Sequence, residues 1–160
     1  MNTSPPCRDT EAAVHTYGSM LWRISLALLG SAQDAEDAVQ ETFFSYAMKS
    51  PGFKTSEHEK AWLIRVLTNK CRDVQRAKKR RRESLSSGGE ENTGSVPDTG
   101  VMEALARLPE KYRLVLMLHY AEGYSAKDIA PIIKRTPSAV KMRLQKGRKL
   151  LEDIYRREYL

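Results

Sequence analysis

Cysteine and histidine are scarce in this chain. Its 160 residues include two cysteines, Cys7 and Cys71, and three histidines, His15, His58 and His119, all far apart in sequence. Two thiols cannot build a four-ligand zinc cage, and the histidines lack metal-ligand spacing. No metal centre is expected, and the thiols read as reduced. Long apolar runs are also missing: Ile24–Leu29 is the longest candidate and is too short to cross a bilayer. The start, MNTSPPCRDTEAAVH, has no basic segment leading into an apolar one, so no secretory signal is read there. A cytoplasmic protein is expected. There is no glycine-rich phosphate loop, no catalytic constellation, no alternating strand pattern and no internal repeat. Neither enzyme activity nor a cofactor is expected.

Apolar residues, by contrast, make up 41% of the chain, enough for packed cores. Lys and Arg total 27 against 20 for Asp and Glu, a net charge of +7. Such a balance points to a polyanionic partner. Composition shifts sharply at residues 84–100, SLSSGGEENTGSVPDTG, which is rich in Ser, Gly and Thr. A segment with so few large apolar groups cannot offset its ordering entropy. It is read as a flexible linker between a helical module at 1–83 and another at 101–160. The basic run Arg76–Arg82 precedes it, and Glu90, Glu91 and Asp98 lie within it.

Three helices are expected before the linker. The first, Ala12–Leu29, has Val14, Tyr17, Leu21, Ile24 and Leu28 near a 3.6-residue period, with Gly30 and Ser31 ending it. The second starts near Asp34, buries Ala35, Ala38, Val39, Thr42, Phe43 and Tyr46, and stops at Pro51. The third starts near Ser56, whose spacing to Glu59 fits a capping box, with Trp62, Leu63, Val66, Leu67 and Val74 on its apolar side. After the linker come a short helix at Val101–Leu108 and another opened by Pro109 and closed by Gly123.

The next residues have the pattern of a helix-turn-helix. Ser125 and Asp128 can cap a helix that carries Ile129, Ala130, Ile132 and Ile133, and Pro131 should kink or shorten it. Arg135-Thr136 makes the turn, and Pro137 opens or just precedes a second, basic helix. Its Val140, Leu144, Leu150 and Leu151 can face inward, leaving Lys141, Met142, Gln145, Lys146, Arg148 and Lys149 outside. Such a helix lays its N-terminal residues against base edges while nearby cations hold phosphates. Taken alone, this pattern also suits a dimeric regulator of duplex DNA.

Three segments together resemble bacterial RNA polymerase sigma factors of the sigma-70 family, extracytoplasmic-function type. Asp34-Ala-Glu-Asp-Ala-Val-Gln-Glu-Thr-Phe-Phe44 is similar to the core-polymerase-binding segment, and Lys60–Asp73 to the segment for the promoter −10 element. Leu108–Ser125, with the helix-turn-helix behind it, is similar to the reader of the −35 element. They lie in family order and spacing. The resemblance implies an all-α fold of two small helical domains and a promoter-specificity function. It implies that Asp37, Gln40 and Glu41 touch the coiled coil of the largest polymerase subunit. Arg65, Asn69, Asp73, Arg76, Lys78 and Lys79 would serve the −10 strand, and the loop Gly52–His58 would hold a flipped base. Ser138, Lys141, Met142, Arg143, Gln145, Lys146 and Arg148 would serve the −35 element. The linker would thread toward the RNA exit path, its acids imitating RNA charge. Implied partners are core RNA polymerase (the coiled coil and the flap), promoter DNA and an anti-sigma protein, often membrane-anchored, with no stable homo-oligomer. Two residues depart from the family pattern. Met142 replaces a small polar residue, and Lys134 stands where Gly is common, so a slightly altered turn is expected.

Overall fold

Helix α1 spans Thr10–Leu29 and stops where Gly30 takes φ +70°, a geometry that costs least without a Cβ. The computed structural model describes residues 10–84 and 100–159, and among these every regular element is helical. Ser31 does not close α1. Its hydroxyl accepts the Asp34 N–H at 3.2 Å and caps α2, Ala32–Lys49. Helix α3, Ser56–Ser84, follows a short turn.

The capping box expected at Ser56 and Glu59 does not form. Thr55 caps α3 instead, its Oγ1 accepting the His58 N–H at 3.1 Å. The Glu59 carboxylate accepts from the Tyr17 hydroxyl at 3.2 Å and the Tyr46 hydroxyl at 2.5 Å. A half-buried carboxylate and two phenols need one another where water is scarce, whereas an exposed backbone N–H at a helix start can be hydrated.

Helices α1–α3 pack around Leu21, Ile24, Leu28, Leu63, Ile64 and Leu67. Val14, expected in this stripe, is 45% exposed. On α3 the buried face is Ala61, Leu63, Ile64, Leu67 and Cys71, with Trp62, Val66 and Val74 half-buried at its edges. Trp62 meets Tyr46 and Phe53 edge-on, at 6.2 Å and 5.8 Å between centroids. The basic run Arg76–Arg82 continues α3 as helix, and α4 opens at Gly100, so the segment read as linker is helical at both ends. Residues 85–99, with Glu90, Glu91 and Asp98, lie outside the described residues, as does Cys7.

The second half comprises α4 (Gly100–Ala106), α5 (Glu110–Leu116), α6 (Ala126–Ile133) and α7 (Pro137–Tyr159). Helix α5 runs on into a π-helical turn, Met117–Ala121, which no periodicity of the sequence signals. Val115, Leu118, Ile129 and Val140 form the fully buried centre. Gly147 is buried where α7 crosses α5, and an added Cβ would lie 3.3 Å from Leu116 Cδ1 and Tyr112 Cβ.

The two halves pack against each other. Arg113 of α5 donates to the carbonyls of Ala27 and Leu28, at 3.1 and 2.7 Å, where α1 ends. Arg23 makes a two-pronged pair with Glu122, both bonds 2.8 Å. Arg72 reaches Glu110 at 3.3 Å, and the Tyr124 hydroxyl donates to Met20 Sδ at 3.1 Å. Cys71 is buried, and burial pushes its thiol up to about 12.

Two predictions follow from this packing. Gly147→Val should lower stability by about 1–3 kcal/mol through overpacking against Leu116 and Tyr112. Gly18→Ala, with only Val14 nearby at 3.8 Å, should gain about 1 kcal/mol of helix propensity; chemical denaturation of both variants checks the pair. The second concerns pH. Burial, then Glu59 for Tyr17 and Glu122 for Tyr124, pushes both phenols up to about 12 from 10.0. The folded state therefore holds these protons more tightly than the unfolded chain, a contribution complete below pH 10 and lost as pH rises to about 12. The urea midpoint should fall across that window, and fall less in the double variant Tyr17→Phe, Tyr124→Phe.

Candidate nucleic-acid interface

Local chemistry assembles the helix-turn-helix. Ser125 Oγ accepts the Asp128 N–H at 3.1 Å while Asp128 Oδ2 accepts the Ser125 N–H at 3.2 Å, the expected capping box. Pro131 lies past the first turn of α6 and has no N–H for the Lys127 carbonyl. The helix ends two residues later, at Ile133, short as expected. Lys134 then takes φ 60°, ψ 49°, and the Arg135 N–H reaches back to the Ala130 carbonyl at 3.0 Å. This is the left-handed helix stop that Gly usually provides. The turn expected to differ therefore keeps the glycine-type geometry, at roughly 1 kcal/mol of backbone cost. Thr136 caps α7 by accepting the Ala139 N–H at 3.1 Å, and Pro137 fills the first helical position, where no N–H is needed.

Helix α7 buries Val140 and Leu144 against the core, with Leu150 and Leu151 half-buried. Its other faces expose Ser138, Lys141, Met142, Gln145, Lys146, Arg148 and Lys149. Lys141 and Gln145 stand one turn apart on the same face. Arg143 differs from its neighbours: it is half-buried, and burial together with Arg135 pulls its guanidinium below the usual range. Arg148 donates to the Tyr120 hydroxyl at 3.1 Å, tying α7 to the π-helical turn. His119 is half-buried there, its Nδ1 2.7 Å from the Tyr124 carbonyl.

Helix α3 aligns Arg65, Asn69 and Asp73 on one side. Their partners differ. Arg65 donates across to the Pro131 carbonyl of α6 at 2.9 Å. That carbonyl is available because the Arg135 N–H, its usual helical donor, has turned to Ala130. Asn69 Oδ1 accepts from Arg72 at 3.4 Å. Asp73 pairs with Arg76 at 3.1 Å, and Lys78 pairs with Asp34 of α2 at 2.6 Å. Lys79 is exposed. So Arg65 already serves the contact between halves, while Asn69, Asp73, Arg76 and Lys79 keep solvent-exposed side chains.

Asp37, Gln40 and Glu41 are all exposed on α2, and Glu41 makes a long ion pair with Lys70 of α3 at 3.9 Å. Among the described residues no group of His, Cys, Asp and Glu is arranged to hold a metal, and no helix is long and apolar enough to cross a membrane. Sequence reasoning missed Arg113 and Gly147. An arginine in an amphipathic helix and a glycine within a basic run carry no signal of what will pack over them.

Comparison with known proteins brings these features together. Residues 13–82 match the family model "Sigma-70 region 2", and residues 99–151 match "Sigma-70, region 4". The extracytoplasmic-function sigma factor SigL of Mycobacterium tuberculosis is 33% identical, over 80% of this chain and 78% of its own. SigW of Bacillus subtilis is 27% identical, over 89% of this chain and 87% of its own. Among solved structures, the sigma factor RpoE bound to the anti-sigma factor NepR from Bartonella quintana has TM-score 0.77 at 22% identity, covering 94% of this chain and 99% of that one. CnrH with the cytosolic domain of CnrY has TM-score 0.72 at 24% identity, covering 94% of this chain and 90% of that one. With two family models in order along the sequence and relatives matched across most of both lengths, the chain belongs to the sigma-70 family, as an RNA polymerase sigma factor of the extracytoplasmic-function group.

Proposed function

We propose that this sigma factor divides promoter recognition between its halves: residues 1–83 dock on core RNA polymerase and take the −10 element, residues 101–160 read the −35 element, and residues 84–100 link them. One observation carries the reading. Helix α7 is anchored by buried Val140 and Leu144, and it holds Ser138, Lys141, Met142 and Gln145 out in solvent at its start. That is the end of a recognition helix that enters the major groove. Lys141 pairs with guanine acceptors, Gln145 with adenine, and Met142 packs on a thymine methyl. Lys146 and Arg148 hold phosphates, and half-buried Arg143 sits behind them.

On the −10 side, Asn69 reads a base of the melted strand and Asp73 orients Arg76. Arg76, Lys78 and Lys79 neutralise phosphates along the extension of α3. The segment 52–58, which is loop only to Thr55 and then enters α3, holds Phe53 beside Trp62 and receives a flipped base, whose unstacking costs a few kcal/mol. Arg65 joins this set when its bond to the Pro131 carbonyl opens, so using both elements requires the halves to part. Asp37, Gln40 and Glu41 meet the coiled coil of the largest polymerase subunit, where their charge steers approach, and the second half meets the flap. A cytoplasmic anti-sigma partner, itself soluble or membrane-anchored, holds the free chain, which works as a monomer.

Two measurements test this. Lys141→Ala should lose about 1–3 kcal/mol of discrimination at one −35 position, measured by competition between matched and mismatched duplexes. An equal loss on every sequence would mark Lys141 as a phosphate contact instead. Gln40→Ala with Glu41→Ala should weaken binding to core polymerase while leaving duplex binding by the second half unchanged, and equal affinity for core would refute the docking assignment.

A further inference from the structure

The start of α7 is cationic and uncompensated. Lys141, Arg143, Lys146, Arg148 and Lys149 follow one another with no acid before Glu152. Among the described residues none of these five makes an ion pair, whereas Arg156, near the other end of the helix, pairs with Glu152 at 3.0 Å. Arg148 has a neutral partner instead. Its Nη1 donates to the Tyr120 hydroxyl at 3.1 Å. Tyr120 lies outside the helix-turn-helix, and its side chain is 60% exposed. An exposed phenol held beside an unpaired cation is not a packing feature.

The backbone before the helix-turn-helix is built to put it there. The Glu122 N–H reaches the Met117 carbonyl at 3.1 Å, five residues back, and closes the π-helical turn Met117–Ala121. Such a turn holds one more residue than an α turn, which swings its side chains by up to about 100° from α geometry. His119 then fixes the phenol. Its Nδ1 is tied to the Tyr124 carbonyl at 2.7 Å, and its ring meets the Tyr120 ring edge-on, with centroids 4.7 Å apart. Single-turn π segments recur at functional sites, because the strain of the wider turn is kept only where it aims a side chain.

We propose that Tyr120 and Arg148 form a clip for one phosphate of the DNA backbone. The phenol oxygen accepts from Arg148 and so keeps its own proton to donate outward. The guanidinium has further N–H groups beyond the one given to Tyr120. Together they offer a neutral donor and a charged donor side by side, a combination that suits two oxygens of one phosphate. Arg148 stands seven residues beyond Lys141, about 10 Å farther along the axis. It is thus set back from the end of the helix that meets base edges, toward the groove's rim. The clip rests on the reading of α7 as the −35 helix and adds to it a residue from outside that helix. It fixes the register of α7 and carries no sequence preference of its own.

The test uses the full chain assembled with bacterial core RNA polymerase, and a promoter duplex selected by that holoenzyme from a random-sequence pool. Tyr120→Phe keeps the ring and removes the hydroxyl. It should weaken binding about three- to tenfold, alike on duplexes matched and mismatched at −35, with an unchanged thermal melt. Arg148→Gln should weaken binding more and reduce the salt slope by about one. The losses should not add, so Tyr120→Phe placed on Arg148→Gln should cost little. Replacing single phosphates by neutral methylphosphonates should reveal one position where the parent loses affinity and neither variant loses more. That profile is compared within each variant, so it decides the matter even where a variant melts early. If Tyr120→Phe binds as tightly as the parent, or stays sensitive at every position where the parent is, the clip is wrong. A loss confined to the matched duplex overturns it too, since Tyr120 would then be a base contact. In these cases the −35 reading stands as long as Lys141→Ala loses discrimination at one position. A Lys141→Ala variant with full discrimination refutes that reading of Lys141 and leaves a clip with its phosphate signature in place.

Discussion

The C-terminal end of α1 is the point on which the two halves depend. A helix leaves its last carbonyls without internal donors, and here that end is covered by the second half of the chain. The Leu28 carbonyl accepts from Gln75 of α3 at 2.9 Å and from Arg113 of α5 at 2.7 Å. Arg113 also serves Ala27 at 3.1 Å and its own Leu108 carbonyl at 3.1 Å. Burial pulls its guanidinium below the usual range while Glu110 pushes it back up; the group stays cationic and faces the negative end of the α1 dipole. Leaving those carbonyls buried and unpaired would cost about 1–3 kcal/mol each. In two other links between halves, Arg23–Glu122 and Arg72–Glu110, the arginines are about half exposed, so solvent screens them in part, while Glu122 is only 7% exposed.

That junction also decides which surfaces remain open. It brings α5 and α6 against α1 and α3, so Arg65 is taken up by a carbonyl of α6. The recognition face of α7 and the outer face of α2 are left in solvent. On the proposed division of labour, polymerase docking and −35 reading start from surfaces already exposed, and the proposed −10 surface frees Arg65 only when α3 and α6 separate.

Much of the fold was legible because it follows from local chemistry. The Ser125–Asp128 capping box, the stop at Gly30 and the Pro137 start each involve neighbours in sequence, and the inward Val140 and Leu144 obey helical period alone. The misreadings have a shared cause. Ser56 and Glu59 have capping-box spacing, but Glu59 answered to Tyr17 and Tyr46, which no local pattern reveals. Val14 fits the α1 period, yet it sits where no other helix covers it. At Phe43 and Phe44, by contrast, helical period alone separated two identical neighbours: Phe43 lies in the expected stripe and is buried, and Phe44 lies outside it and is exposed.

For the functional surface, sequence determined the kind of residue at each position and its face on the helix: acids and Gln on α2, a cationic extension of α3, Lys and Gln at the start of α7. These follow from spacing along a single helix, and they were enough to resemble a family. Tertiary structure decided which of these side chains were already engaged. The Arg65 bond to Pro131, the burial of Gly147 under Tyr112 and Leu116, and the Arg113 cap on α1 join residues far apart in the chain. Such contacts depend on how whole helices pack, and no window of sequence contains both partners.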